Sequence, residues 1–122
     1  MTSLADLQER AGVANGTHGF NEYDKFTTDE ERNLYLGNKL MLVVSELSEA
    51  QDELRSGHKP TEEYTSAYAD GLRKPEGFPA EIADAVIRLL GIAYELKVDT
   101  TRVMENKMAF NEARAFRHGK QF

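Results

Sequence analysis

In Lys39-Leu40-Met41-Leu42-Val43-Val44-Ser45-Glu46-Leu47-Ser48-Glu49-Ala50-Gln51-Asp52-Glu53-Leu54-Arg55, the residues Leu40, Val43, Leu47, Ala50 and Leu54 recur at helical spacing and make an apolar stripe. Glu46, Glu49 and Glu53 fall together beside it. A second segment, Glu81-Ile-Ala-Asp84-Ala-Val-Ile-Arg88-Leu-Leu-Gly-Ile-Ala-Tyr-Glu95-Leu, is apolar around most of its circumference, as expected of a helix buried on several sides. Its polar exceptions Glu81, Asp84, Arg88 and Glu95 share one strip.

Carboxylates at i, i+3 project from one helix face, so Glu46-x-x-Glu49 and Glu81-x-x-Asp84 are two acidic pairs able to face each other. Four carboxylates brought together need a cation. Mg²⁺ is the natural filler, because it takes hard oxygen ligands and is commonly held by carboxylates together with substrate phosphates. Without it, repulsion would raise some of the carboxylate pKa values. The plainer alternative is a pair of solvated faces. With 21 Asp+Glu among 122 residues, such pairs arise by chance, and Asp84 with Arg88 at i, i+4 would suit a helix ion pair worth about 0.2–0.5 kcal/mol.

Helix boundaries can be read from capping residues. Ser3 and Asp6 cap a first helix reaching about Val13, after which Gly12, Gly16 and Gly19 make the chain irregular. Thr28-Asp-Glu-Glu31 has the form of a capping box and opens the long second helix, which Gly57 closes. Pro60, Pro75 and Pro79 with Gly71 and Gly77 mark a loop with room for a short helix over residues 61–69. Pro79 suits the first turn of the third helix, and Asp99 or Thr100 caps a last helix to about Phe116. No repeat, low-complexity tract or linker divides residues 1–122, so one domain is expected.

The Lys107-x-x-x-Asn111-x-x-Arg114 line lies on one face of that last helix, and a basic tail, Arg117-His118-Gly119-Lys120, follows. In this order and spacing, the four motifs resemble the MazG-like branch of the all-α nucleoside triphosphate pyrophosphohydrolases. The similarity runs from about residue 39 to the C-terminus, and the connection between the acidic pairs is longer than the family's. The resemblance implies an all-α bundle of four or five helices that associates with itself as a homodimer or homotetramer. It further implies Mg²⁺-dependent hydrolysis of a (deoxy)nucleoside triphosphate to the monophosphate and pyrophosphate, with Mn²⁺ able to substitute. Glu46, Glu49, Glu81 and Asp84 become the metal ligands, Glu46 and Glu49 the candidate catalytic carboxylates, and Glu49 the group that orients or deprotonates the water. Lys107, Asn111, Arg114, Arg88 and His118 become the phosphate and substrate contacts, and His18, Phe20, Asn21 and Tyr23 a cluster able to stack on a base. Otherwise such aromatics cover a core, and His58 reads as loop surface.

Composition agrees with this reading. A net charge of −6 argues against a general nucleic-acid binder. Cysteine is absent, which removes disulfides and thiolate zinc sites. No apolar run approaches the length of a membrane span and Met1-Thr-Ser-Leu-Ala-Asp6 starts no signal peptide, so a cytoplasmic protein is expected. The competing function classes are a non-catalytic helical interaction module and a regulatory module that binds nucleotides without turning them over.

Overall fold

The computed structural model describes residues 1–19 and 21–118, with side chains to 114. It is mostly helical, with four α-helices among the described residues: α1 (Leu4–Thr17), α2 (Asp29–Arg55), α3 (Phe78–Glu95) and α4 (Thr100–His118). None is long and apolar enough to cross a membrane. One two-stranded antiparallel ribbon, β1 (Tyr64–Ala67) and β2 (Arg73–Glu76), connects α2 to α3. The all-α expectation therefore needs one correction: residues 61–69 form no α-helix, since residues 64–67 are strand β1 and Ala69 opens a single 3-10 turn, Ala69–Gly71.

The caps act as their sequences direct. The Ser3 hydroxyl accepts from Asp6 N–H while the Asp6 carboxylate accepts from Ser3 N–H, a complete capping box. Thr28 accepts from Glu31 N–H at the start of α2. At the other end Gly57, with φ 91°, lets Gly57 N–H reach Leu54 O and His58 N–H reach Glu53 O, a Schellman closure. Pro79 sits in the first turn of α3, and Asp99 accepts from Arg102 N–H before α4.

α3 lies between α1 and α2, and α4 packs on α1. Contrary to the expected break, α1 runs through Gly12 and Gly16 to Thr17. Packing explains the difference, because Gly12 is buried under the Tyr94 ring of α3, where a Cβ would overlap the ring. Contact between helices offsets glycine's poor helix propensity. Gly12→Ala is accordingly expected to lower stability by about 1–3 kcal/mol in urea unfolding, the usual range for overpacking.

The core is narrow. On α2 the buried residues are Val43, Glu46 and Ala50, while Leu40, Leu47 and Leu54 of the expected apolar stripe are largely exposed. On α3 the buried residues are Glu81, Ala85, Leu90 and Gly91, and Val86, Ile87 and Leu89 face outward. Among the described residues, a helix apolar on nearly every side packs chiefly on α1 and α2, with β2 against it as well.

Candidate metal centre

Glu46 stands midway along α2, while Glu81 and Asp84 occupy the first two turns of α3. Packing of these helices brings one carboxylate oxygen from each of the three to within 4.8 Å of the others. Glu46 and Glu81 are each only 8% exposed, and Asp84 opens to solvent. Glu49, one turn after Glu46, interacts with both Glu46 and Glu81. The two acidic pairs therefore face each other.

Electrostatics reveal the cost of that arrangement. Burial, followed by contact with Glu49 and repulsion from Asp84 and Glu46, pushes the Glu81 carboxyl up to about 7. Burial and the charge of Glu46 raise Asp84 as well. Glu46 goes the other way: burial opposes its charge, but the Arg88 hydrogen bond, with Glu49, outweighs it and lowers the pKa. Arg88 Nε donates to Glu46 Oε1 at 2.8 Å. The i, i+4 pairing of Arg88 with Asp84 is thus replaced by a bridge between helices.

The donor set fits a hard divalent cation. Glu81 Oε2 is buried without a hydrogen-bond partner, the kind of orphaned acceptor that a ligated ion would satisfy. Opposite ligands of octahedral Mg²⁺ lie about 4.2 Å apart and adjacent ones about 3.0 Å, so the three oxygens would have to close in on a shared ion.

Two cavities flank the carboxylates. One, of about 470 Å³, lies between the end of α1, α2 and α3, and is lined by Asn15, Asn38, Lys39, Leu42, Ile87 and Arg88 among others. The second, of about 300 Å³, is polar and is lined by Glu49, Asp52, Glu53, His58, Lys74 and Glu81 among others. Arg88 belongs to the first and also touches Glu46. Glu49 and Glu81 belong to the second.

No family model, curated protein or solved structure matches the chain.

The remaining sequence-derived candidates lie elsewhere. Lys107, Asn111 and Arg114 are carried on α4, whose main contact is α1. Lys107 and Arg114 lie 5.4 and 5.6 Å from the Phe110 ring centroid, and no described hydrogen bond or ion pair joins the three to the carboxylates. The side chain of His118, with Phe20 and residues 119–122, falls outside the described set. His18 ends α1, Asn21 Nδ2 donates to Gly12 O, and the Tyr23 ring leans on Tyr35 with centroids 6.3 Å apart. In this arrangement Asn21 and Tyr23 pack against the protein itself.

Sequence reasoning missed two groups. Glu95, grouped with Glu81 and Asp84 by its strip, instead receives Lys39 Nζ at 3.0 Å, Tyr35 O–H at 2.7 Å and Tyr23 N–H at 2.9 Å. It ties the segment before α2 to the end of α3. The second group fixes the ribbon. Tyr64 O–H donates to the Glu53 carboxylate at 2.9 Å, which pushes the phenol up to about 12. Against Tyr64 stacks His58, at 4.7 Å between ring centroids, while its Nδ1 lies 2.9 Å from Glu62 Oε2. His58 is therefore half-buried and structural, and does not read as loop surface. The signal for the ribbon was Asp70-Gly71, both at positive φ in the connecting turn.

Proposed function

We propose that the chain is a Mg²⁺-dependent nucleoside triphosphate pyrophosphohydrolase, cleaving between the α and β phosphates to give a nucleoside monophosphate and pyrophosphate. The observation that carries this reading is the convergence of Glu46, Glu81 and Asp84, with Glu49 beside them and Glu81 Oε2 lacking a partner. The motif resemblance to MazG-like enzymes supplies the reaction class.

Glu46, Glu49, Glu81 and Asp84 would hold the cation, which when bound offsets phosphate charge and lowers the pKa of a coordinated water. Arg88 stays paired to Glu46 and keeps that carboxylate ionised and oriented. Glu49, at the edge of the cluster, takes the proton of the attacking water. In the larger cavity, Leu42, Ile87 and Ile92 offer apolar walls to a nucleoside while Asn15 and Asn38 offer amide donors and acceptors to a base edge. The site works on the cytoplasmic nucleotide pool. Incubation with Mg²⁺ and each common ribo- and deoxynucleoside triphosphate is expected to yield monophosphate and pyrophosphate. Diphosphate and orthophosphate as products would overturn the assigned bond, and no turnover would favour the regulatory or interaction module.

The chain works as a homo-oligomer, dimer or tetramer. Its surface of 9359 Å² exceeds the roughly 6,600 Å² that a folded monomer of this mass exposes. Leu34, Met41 and Val44 of α2, with Val86 and Leu89 of α3, contribute to the excess. A second copy that covers these faces could also bring its Lys107–Asn111–Arg114 line to the carboxylates. Light scattering is expected to give two or four times 13.7 kDa, and Met41→Lys with Val44→Lys to reduce that mass; a monomeric wild type would refute the assembly.

A further inference from the structure

The ribbon between the acidic pairs is the part of the chain for which the proposed reaction has so far no use, and its register decides what it presents to the site. Directly paired residues share a face, so Tyr64 with Glu76 and Ser66 with Lys74 occupy one side, and Thr65 with Pro75 and Ala67 with Arg73 the other. Tyr64 bonds Glu53 of α2, which turns the first side inward. The inward side is the half-buried one on β1, and Lys74 lies on it. Arg73 lies on the outward side, where its guanidinium bonds Thr65 Oγ1 and O.

The ribbon is held in that orientation at both ends. His58 stacks on Tyr64 at the start of β1. After β2, Gly77 passes so close to Glu62 O, at φ 111°, that no side chain could be accommodated. The backbone of Lys74 is therefore held on the inward side of the ribbon. Lys74 lines the same cavity of about 300 Å³ as Glu49 and Glu81, on the side of the carboxylate cluster away from the nucleoside-sized cavity. Its ammonium feels Glu76 first, then Glu81 and Glu49, all of which raise its pKa. The ion pair with Glu76 is loose, at 3.4 Å, and the side chain is 54% exposed, so a group with three donors retains capacity for a ligand.

Five carboxylates share this cavity, so a polyanion reaches it only with a cation bound: Glu76 pairs with Lys74, Asp52 is exposed to solvent, and the other three have uses of their own. Glu53 accepts from Tyr64, and Glu49 and Glu81 belong to the cation site. Along α2 the order is then nucleoside cavity, carboxylate cluster, Lys74 cavity. A triphosphate lying along that axis with its base in the larger cavity places its terminal phosphates at Lys74.

From this the geometry points to Lys74 as a substrate-binding residue that grips the β and γ phosphates, the part of the substrate released as pyrophosphate. The inference rests on the proposed hydrolase reading and assigns the phosphate end of the same site. It gives the inserted ribbon a role, because the ribbon delivers a cation where the described side chains of the single chain's α4 make no hydrogen bond or ion pair with the carboxylates.

Binding of inorganic pyrophosphate in the presence of Mg²⁺, followed by calorimetry on the full chain, tests the assignment together with KM and kcat. Lys74→Ala is expected to weaken pyrophosphate binding by about tenfold, the usual worth of one charge-assisted hydrogen bond. It should raise KM more than it lowers kcat, and the loss should shrink at high ionic strength. Lys74→Arg should restore most of the affinity. Arg73→Ala, removing one positive charge from the outer side of the same strand, should leave it unchanged. Melting temperatures of the variants report whether the ribbon is intact. Wild-type affinity in Lys74→Ala, an equal loss in Arg73→Ala, or no pyrophosphate binding by the wild type would each overturn the assignment. If pyrophosphate binds through Lys74 but no nucleoside triphosphate is turned over, the hydrolase reading fails and the phosphate-binding role of Lys74 stands.

Discussion

Glu49→Gln and Asp84→Asn each lose nucleoside triphosphate hydrolysis by on the order of 10³-fold while remaining folded, the expected result if the two acidic pairs work as one site. Both substitutions preserve size and remove one negative charge. Asp84 is exposed and receives no described hydrogen bond, so its amide leaves no buried group unpaired. Burial and the charge of Glu46 already raise its pKa, so loss of the charge relieves repulsion. Asp84→Asn is therefore expected to fold, and melting temperatures of both variants check that lost activity is not lost structure. The two variants should differ in their dependence on Mg²⁺. Asp84→Asn removes a ligand, so higher Mg²⁺ should recover part of its rate. Glu49→Gln also removes the base, and a low kcat should persist at saturating Mg²⁺. Activity within a factor of ten of wild type in both variants would move the chemistry away from this cluster.

What the sequence disclosed and what it hid follow from the range of each interaction. The caps at Ser3, Thr28, Gly57 and Asp99 act within a few residues, and all four were legible. The two acidic pairs were legible because i, i+3 spacing fixes a shared face regardless of tertiary structure. Continuation of α1 through Gly12 depends on Tyr94, more than eighty residues away in sequence, and no local pattern records that contact. The spacing offered Arg88 only Asp84, on its own helix; its partner in the structure, Glu46, lies on another helix, and packing alone brings them together. The ribbon was obscured by Pro75, which opposes a strand assignment except at an edge, where a two-stranded ribbon allows it. The apolar stripe of α2 and the apolar circumference of α3 read as buried faces, yet Leu40, Leu47 and Leu54 of α2 and Val86, Ile87 and Leu89 of α3 are exposed in the single chain, because periodicity marks an apolar face without specifying what packs on it.

Mg²⁺ is expected to raise the melting temperature of the wild type by about 10 °C at pH 8, with little effect at pH 5 and none on Glu81→Gln. The sign follows from Glu81. Its folded pKa, about 7, lies above the ordinary 4.5, so the fold binds a proton that the unfolded chain releases. Below pH 4.5 both states are protonated and the group costs nothing. As the pH rises towards 7 the metal-free fold must either keep that proton or carry an uncompensated buried charge, and stability falls by about 3 kcal/mol at most. Asp84, also raised, adds in the same direction. Glu46, held below its ordinary value by Arg88, opposes them only at acid pH, where its stabilising contribution is lost as it protonates. Comparison with Glu81→Gln isolates the effect. The variant should melt with the wild type near pH 4.5 and progressively above it towards pH 8 in the absence of metal, because an uncharged amide removes the penalty. Addition of Mg²⁺ at pH 8 should then bring the wild type to or above the variant, since a cation satisfies the partnerless Glu81 Oε2 that the proton otherwise serves. Calorimetry at matched ionic strength separates ligation from screening: an equal rise with NaCl, or a full Mg²⁺ response in Glu81→Gln, would mean that these carboxylates are repelled by one another without being a metal site.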